Sequence, residues 1–148
     1  MNSLERKRTI AVDLDGTLIK TDILHESLIL YLKGNPLRLF LIISWLLKGI
    51  KHTKCMLSEN VRLDISSLPY NQRLIDWLRI QKKEGNELIL VSGAHESLCK
   101  QVSMHLGLFD KYFGTNSEVN LIRANKRDLL NKKFTHNGFD YIGNSFND

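Results

Sequence analysis

The chain has 148 residues and a mass of 17.1 kDa, a length for one domain that can bury most of the apolar surface its unfolded form exposes. Hydrophobic residues at 43%, charged residues at 25%, 9 Gly and 2 Pro exclude a disordered, collagenous or repeat protein. The formal charge of +5 is spread along the chain, and no aromatic residues interleave with a basic stripe. It reads as a solubilising surface, with no nucleic-acid partner expected, and suits phosphorylated ligands or anionic lipid equally.

In chain order, Thr9-Ile-Ala-Val-Asp13 is a short apolar, β-branched run that stops at the polar turn Asp13-Leu-Asp-Gly-Thr17, the pattern of a buried strand ending in a tight turn. A helical stretch follows. Asp22 caps its first helix, and Asn35-Pro36 opens the next. Leu37 to Leu47 is apolar almost all round, Gly49 breaks it, a basic segment runs from Lys51 to Lys54, and Pro69 to Lys83 predicts a last helix carrying Leu74, Trp77 and Leu78.

Glu87 to Ser92 repeats the strand design and is followed by Gly93. Leu98, Val102 and Leu106 at i+4 spacing predict a helix over Glu96 to Leu106. A short strand is expected near Tyr112-Phe113, then a helix from Leu121 to Asn131 with Asn120 as its cap. Phe139 to Gly143 is the last strand. Strands alternating with helices predict a single α/β domain over 1–148, a Rossmann-like three-layer parallel sheet built from 1–20 and 85–148, with an all-helical insertion at 21–84. Ligands gather at the carboxyl ends of such strands, where Asp13, Ser92 and Asn144 stand.

Two carboxylates at i and i+2 on a turn after a buried strand can face one crevice, one ionised as nucleophile or metal ligand and the other exchanging protons. Gly16 permits the sharp path. The alternative is an Asp-rich surface turn. Ser92 alone reads equally as a helix cap, and Lys126 alone as a solvated helix residue, with Lys132 as a rival. The five histidines show no ligand spacing. Cys55 and Cys99 lie far apart with no signal segment ahead of them, so packing thiols and a cytoplasmic location are expected. The longest uncharged apolar run, Leu39 to Leu47, is about half of the roughly 18 residues that span a bilayer. With Trp45 and the lysines after it, the segment from Leu37 fits either the core of the helical insertion or a peripheral membrane surface.

Taken together, these strand ends resemble the motifs of the haloacid dehalogenase (HAD) superfamily of phosphohydrolases. Asp13-Leu-Asp-Gly-Thr17 resembles its first motif, Leu88 to Ser92 its second, Lys126 its third and Gly143-Asn-Ser-Phe-Asn-Asp148 its fourth; the stretch from Asp22 to Glu84 resembles the inserted cap. Thr21-Asp-Ile-Leu-His-Glu-Ser27, Leu68-Pro-Tyr-Asn71, His105-Leu-Gly-Leu-Phe-Asp110 and Tyr141-Ile-Gly-Asn-Ser145 are similar to the domain fused to UbiA-type polyprenyl transferases, with the membrane part absent. The resemblance implies an aspartyl-phosphate mechanism on a phosphorylated small molecule. Asp13 attacks, Asp15 serves as acid and base, and Ser92 and Lys126 bind the phosphoryl group together with Thr17 and Gly93. Mg²⁺ is held by Asp13, the Asp15 carbonyl, Asn144 and Asp148.

Two departures follow from that comparison. Asn144 stands where the superfamily usually has Asp, which offers a carbonyl oxygen but no charge. The core's usual final strand and helix are missing, leaving Phe139 to Ile142 with an open edge through which copies can associate. The alternative to an enzyme is a non-catalytic accessory module, a fragment of such a fusion, seated beside a membrane prenyltransferase domain or an anionic membrane surface.

Overall fold

The computed structural model describes residues 7–116, 118–121, 124–134 and 138–144. Four strands, β1 (Thr9–Val12), β2 (Glu87–His95), β3 (Lys111–Thr115) and β4 (Asp140–Ile142), form a parallel sheet in the order β3-β2-β1-β4. Val12 lies level with Leu90 on one side and Ile142 on the other. That register brings Asp13, just past β1, and Asn144, two residues past β4, to one rim with Ser92, which lies within β2: the strand expected to stop at Ser92 runs on to His95. Among the described residues β4 pairs with β1 alone.

Alternate strand residues serve opposite faces of the pleat. Ile10, Val12, Leu88 and Leu90 pack with Ile75 and Leu78 of α4 (Gln72–Lys83) and with Leu98, Cys99 and Val102 of α5 (Glu96–Leu106). Ala11 and Val91 meet Leu130 of α6 (Ala124–Lys133) on the other face. Helices on both faces explain why these strands read as unbroken apolar runs. Three further helices, α1 (Ile23–Gly34), α2 (Leu39–Leu47) and α3 (Ile50–Asn60), enclose a separate cluster of Tyr31, Ile42, Trp45, Leu57 and Val61. The Tyr31 and Trp45 rings are 5.2 Å apart at its centre.

Asp22 caps α1 as its position implies, accepting bonds from the amides of Leu24 and His25. Three expectations need correction. The helix expected from Pro69 begins at Gln72 with Asn71 as its cap, because the Pro69 carbonyl accepts the Lys20 amide and Tyr70 bridges Ile19, which holds this segment extended. Asn120 does not cap α6: its side-chain oxygen accepts from Thr115 Oγ1 and its carbonyl accepts from Asn125 Nδ2. The apolar segment at Leu37 to Leu47 is core on one side only. Only Ile42 and Trp45 are buried, while Leu37, Phe40 and Leu47 are 70%, 72% and 84% exposed, since α3 and Tyr31 of α1 cover one side of a nine-residue helix. Among the described residues no helix is long and apolar enough to cross a membrane.

Candidate active site

A cavity of about 640 Å³ opens at the strand-end rim between the sheet and the α1–α3 cluster, and Asp13, Asp15, Asp22, Lys54, Lys126 and Asn144 all line it. Asp13 is the residue after β1 and is buried, its amide donating to the Ile142 carbonyl. Lys126, in the first turn of α6, crosses to it: Nζ donates to Asp13 Oδ1 at 2.9 Å and to the Tyr141 hydroxyl at 3.2 Å. Both side chains of this ion pair are 5% exposed. Burial alone would lower the pKa of Lys126; the charge and hydrogen bond of Asp13, with Tyr141, outweigh burial and raise it. The sequence left Lys126 and Lys132 as rivals, and it is Lys126 that reaches Asp13.

Asp15 is positioned by two donors. The Ile23 amide, in the first turn of α1, donates to Oδ1 at 2.9 Å, and Ser92 Oγ donates to Oδ2 at 3.2 Å. Burial nevertheless dominates and, with the nearby charges of Asp22 and Asp13, pushes its pKa up to about 6. Two carboxylates two residues apart thus differ in kind: one is held beside an ammonium, the other is poised to carry a proton near neutral pH.

The raised pKa carries a stability consequence. Between about pH 4 and pH 6 the unfolded chain releases the Asp15 proton while the folded chain retains it, so the wild-type fold loses stability as pH rises through that window and regains none above it. Asp15→Asn removes the penalty. In EDTA the variant is expected to melt about 4–10 °C higher than wild type at pH 8, equivalent to roughly 2–3 kcal/mol, with little difference at pH 4. A difference in Tm that does not change with pH would rule out a buried charge as its source.

The remaining candidates are placed unequally. Ser92 is fully buried behind the cavity wall, its Oγ divided between Asp15 and the Ala94 amide. Gly93 lines the cavity, and its carbonyl accepts from Lys54 Nζ and Thr115 Oγ1. Thr17 is buried below the loop and outside the lining, with no hydrogen-bond partner for Oγ1 among the described residues. Gly16 takes a φ of 71° and lies so close under Asn144 that a Cβ there would overlap Nδ2, so the Asn144 amide rests on the Asp15-Gly16 turn. Asp148 lies outside the described residues. His95 caps α5 through Nδ1 and also lines the cavity.

Sequence reasoning assigned no site role to Lys54, which it placed in a basic surface run. On α3 it adjoins Thr53, which with Leu57 faces inward, and its Nζ enters the cavity. Burial lowers its pKa, against the pull of Asp15 and Asp22. The available signal was spacing: Thr53 and Leu57 are four residues apart on the inward side of the helix. Asp22, recognised as a cap, is a cavity residue as well. The apolar wall consists of Ile23, Leu24, Leu57, Ala94, Leu98 and Leu121.

No family model matches the chain. It is 34% identical over 145 residues to the uncharacterized protein y4nM of Sinorhizobium fredii; the match covers 98% of this chain and 28% of that protein. The chain thus spans less than a third of the length of the curated relative that it matches. Among solved structures it is similar to a HAD family hydrolase of Salmonella enterica serovar Typhi, with a TM-score of 0.61 and 15% identity over 88% of this chain and 53% of that one. A substrate-bound phosphoserine phosphatase complex gives a TM-score of 0.60 and 15% identity over 92% and 74% of the two chains. A protein of unknown function from Bordetella pertussis gives 0.60 and 14% over 90% and 77%. The parallel sheet, the helices on its two faces and the helical unit over its rim are therefore the fold shared with a HAD family hydrolase and a phosphoserine phosphatase.

Proposed function

We propose that the chain is a Mg²⁺-dependent phosphohydrolase that works through an aspartyl-phosphate on Asp13. The observation that carries this reading is the pairing of Asp13 with Lys126 in one cavity with Asp15, whose pKa is near 6. Asp13 attacks phosphorus as the ester P–O bond breaks, and protonated Asp15 gives its proton to the departing oxygen. Asp15, now ionised, takes a proton from a water that attacks the acyl phosphate and frees Asp13. Lys126 and Lys54 offset the charge of the phosphoryl group. The apolar wall above them suits a small phosphate monoester whose organic part is at least partly hydrocarbon.

The donor set fits a hard cation. The Asp13 carboxylate, the Asp15 carbonyl and the Asn144 side-chain oxygen are all oxygens, and they supply one full negative charge, as suits Mg²⁺ with much of its water shell retained. When bound, the ion supplies positive charge that stabilises the transferring phosphoryl oxygens. Asn144→Asp is expected to lower the Mg²⁺ concentration for half-maximal activity about tenfold; an unchanged Mg²⁺ dependence would remove Asn144 from the set.

The test of the whole reading is Mg²⁺-dependent phosphate release from a panel of simple phosphate esters. Alongside it, melting should be followed with fluoroberyllate and Mg²⁺, which mimic phosphate on a carboxylate and raise Tm by mass action if they bind the native state. Release above background, together with a Tm rise, supports the enzyme. Absence of both favours the second reading, an accessory domain beside a membrane prenyltransferase. That reading draws on Asn144, on the similarity to domains fused to UbiA-type enzymes, and on the share of the y4nM length that the chain spans.

A further inference from the structure

The outer side of the helical unit presents apolar residues to water. At 100° per residue, Phe40, Ile43 and Leu47 of α2 lie on the side opposite Ile42 and Trp45, and all three are exposed. Leu37 before the helix and Ile50 after it extend the exposed series. A continuous apolar surface of this kind marks an interface.

Charge selects the occupant. Between Glu26 and Glu59 the chain carries Lys33, Arg38, Lys48, Lys51 and Lys54 and no carboxylate. Lys54 turns into the cavity. The Arg38 guanidinium is turned back onto α1, donating to the Tyr31 carbonyl and lying over the Tyr31 ring; the other three bracket α2, with Lys33 ahead of it and Lys48 and Lys51 just past its last turn. A second copy meeting this face about a two-fold axis would set these cations against their own equivalents. An interface with hydrocarbon at its centre and anions around it is what an anionic bilayer supplies. Nine residues of helix rise about 13 Å, enough to lie in the headgroup region and far short of spanning it.

We propose that α2 docks on an anionic lipid bilayer, its Phe40, Ile43 and Leu47 side chains entering the acyl boundary while Lys33, Lys48 and Lys51 meet the headgroups. This stands apart from the phosphohydrolase reading and does not need it. The experiment is flotation of the full chain with vesicles of phosphatidylcholine alone or mixed with phosphatidylserine, at low and high salt. Binding is expected to the phosphatidylserine vesicles and to weaken as salt rises. Lys48→Glu/Lys51→Glu is expected to weaken it about 30-fold or more, taking about 1 kcal/mol per cation near the surface. Phe40→Ser/Leu47→Ser, which removes exposed side chains and should fold, as circular dichroism would show, is expected to abolish it. Failure of the folded wild-type chain to float with phosphatidylserine overturns the proposal, as does equal binding to both vesicle types. A concentration-dependent dimer that Phe40→Ser abolishes, without flotation, would assign the face to a second copy and overturn it too.

Discussion

Asp13→Asn is expected to reduce phosphate release to background, a loss of at least about 10⁴-fold, while the protein still folds. Asn has the shape of Asp, and its side-chain oxygen can still accept the 2.9 Å bond from Lys126 Nζ, so the packing at the end of β1 is kept. What disappears is the charge that makes the oxygen a nucleophile. Lys126, raised in pKa largely by Asp13, would then be a buried ammonium without its counterion and would more readily lose its proton. The readouts are phosphate release and a fluoroberyllate melt: the variant should show neither turnover nor a Tm rise. Equal turnover by wild type and variant would remove Asp13 from the chemistry and leave the cavity as a binding site.

The second large effect falls on stability. Lys126→Met leaves the Asp13 carboxylate, 4% exposed, without the ammonium that faces it, and breaking one side of a buried pair in this way costs about 3–5 kcal/mol. For a domain of this size that is a fall in Tm of about 6–20 °C. The double variant Asp13→Asn/Lys126→Met removes both charges and lets Met pack on the Tyr141 ring, which lies 5.8 Å from Lys126 Nζ. It is expected to recover most of the lost stability and none of the activity. Thermal melts of the four proteins form a double-mutant cycle. A coupling term near zero would mean that Asp13 and Lys126 are independent in the folded state, and the pair would no longer explain how α6 is held to the rim.

Much of the fold was legible because its signals are local. Thr9 to Val12 and Glu87 to Ser92 had to be buried strands, since β-branched and apolar runs that end in small polar residues have few other uses. α5 was legible from Leu98, Val102 and Leu106, and α1 from the Asp22 cap. Asp13 and Asp15 were legible as a pair because the i, i+2 spacing on a turn puts both carboxylates at one strand end. Asn71 shows the limit. Its ability to cap is local, but the helix begins there because Lys20 and Ile19 hold Pro69 and Tyr70 extended, an arrangement made by contacts some fifty residues distant along the chain.

The order of the strands, the all-helical character of the insertion, the acid pair at the end of β1 and the apolar character of Leu37 to Leu47 were determined by the sequence itself, because periodicity, turn chemistry and side-chain type act over a few residues; α3, read only as a basic segment after Gly49, was not. Only tertiary structure decided that Lys126 rather than Lys132 reaches Asp13, that Ser92 holds Asp15 from behind the cavity wall, and that Lys54 points inward. Only tertiary structure left Phe40 and Leu47 facing water. Each of those outcomes depends on which surfaces meet after the sheet is assembled, and on the burial that sets the Asp15 proton near neutral pH. Burial belongs to the packed molecule and to no single stretch of chain.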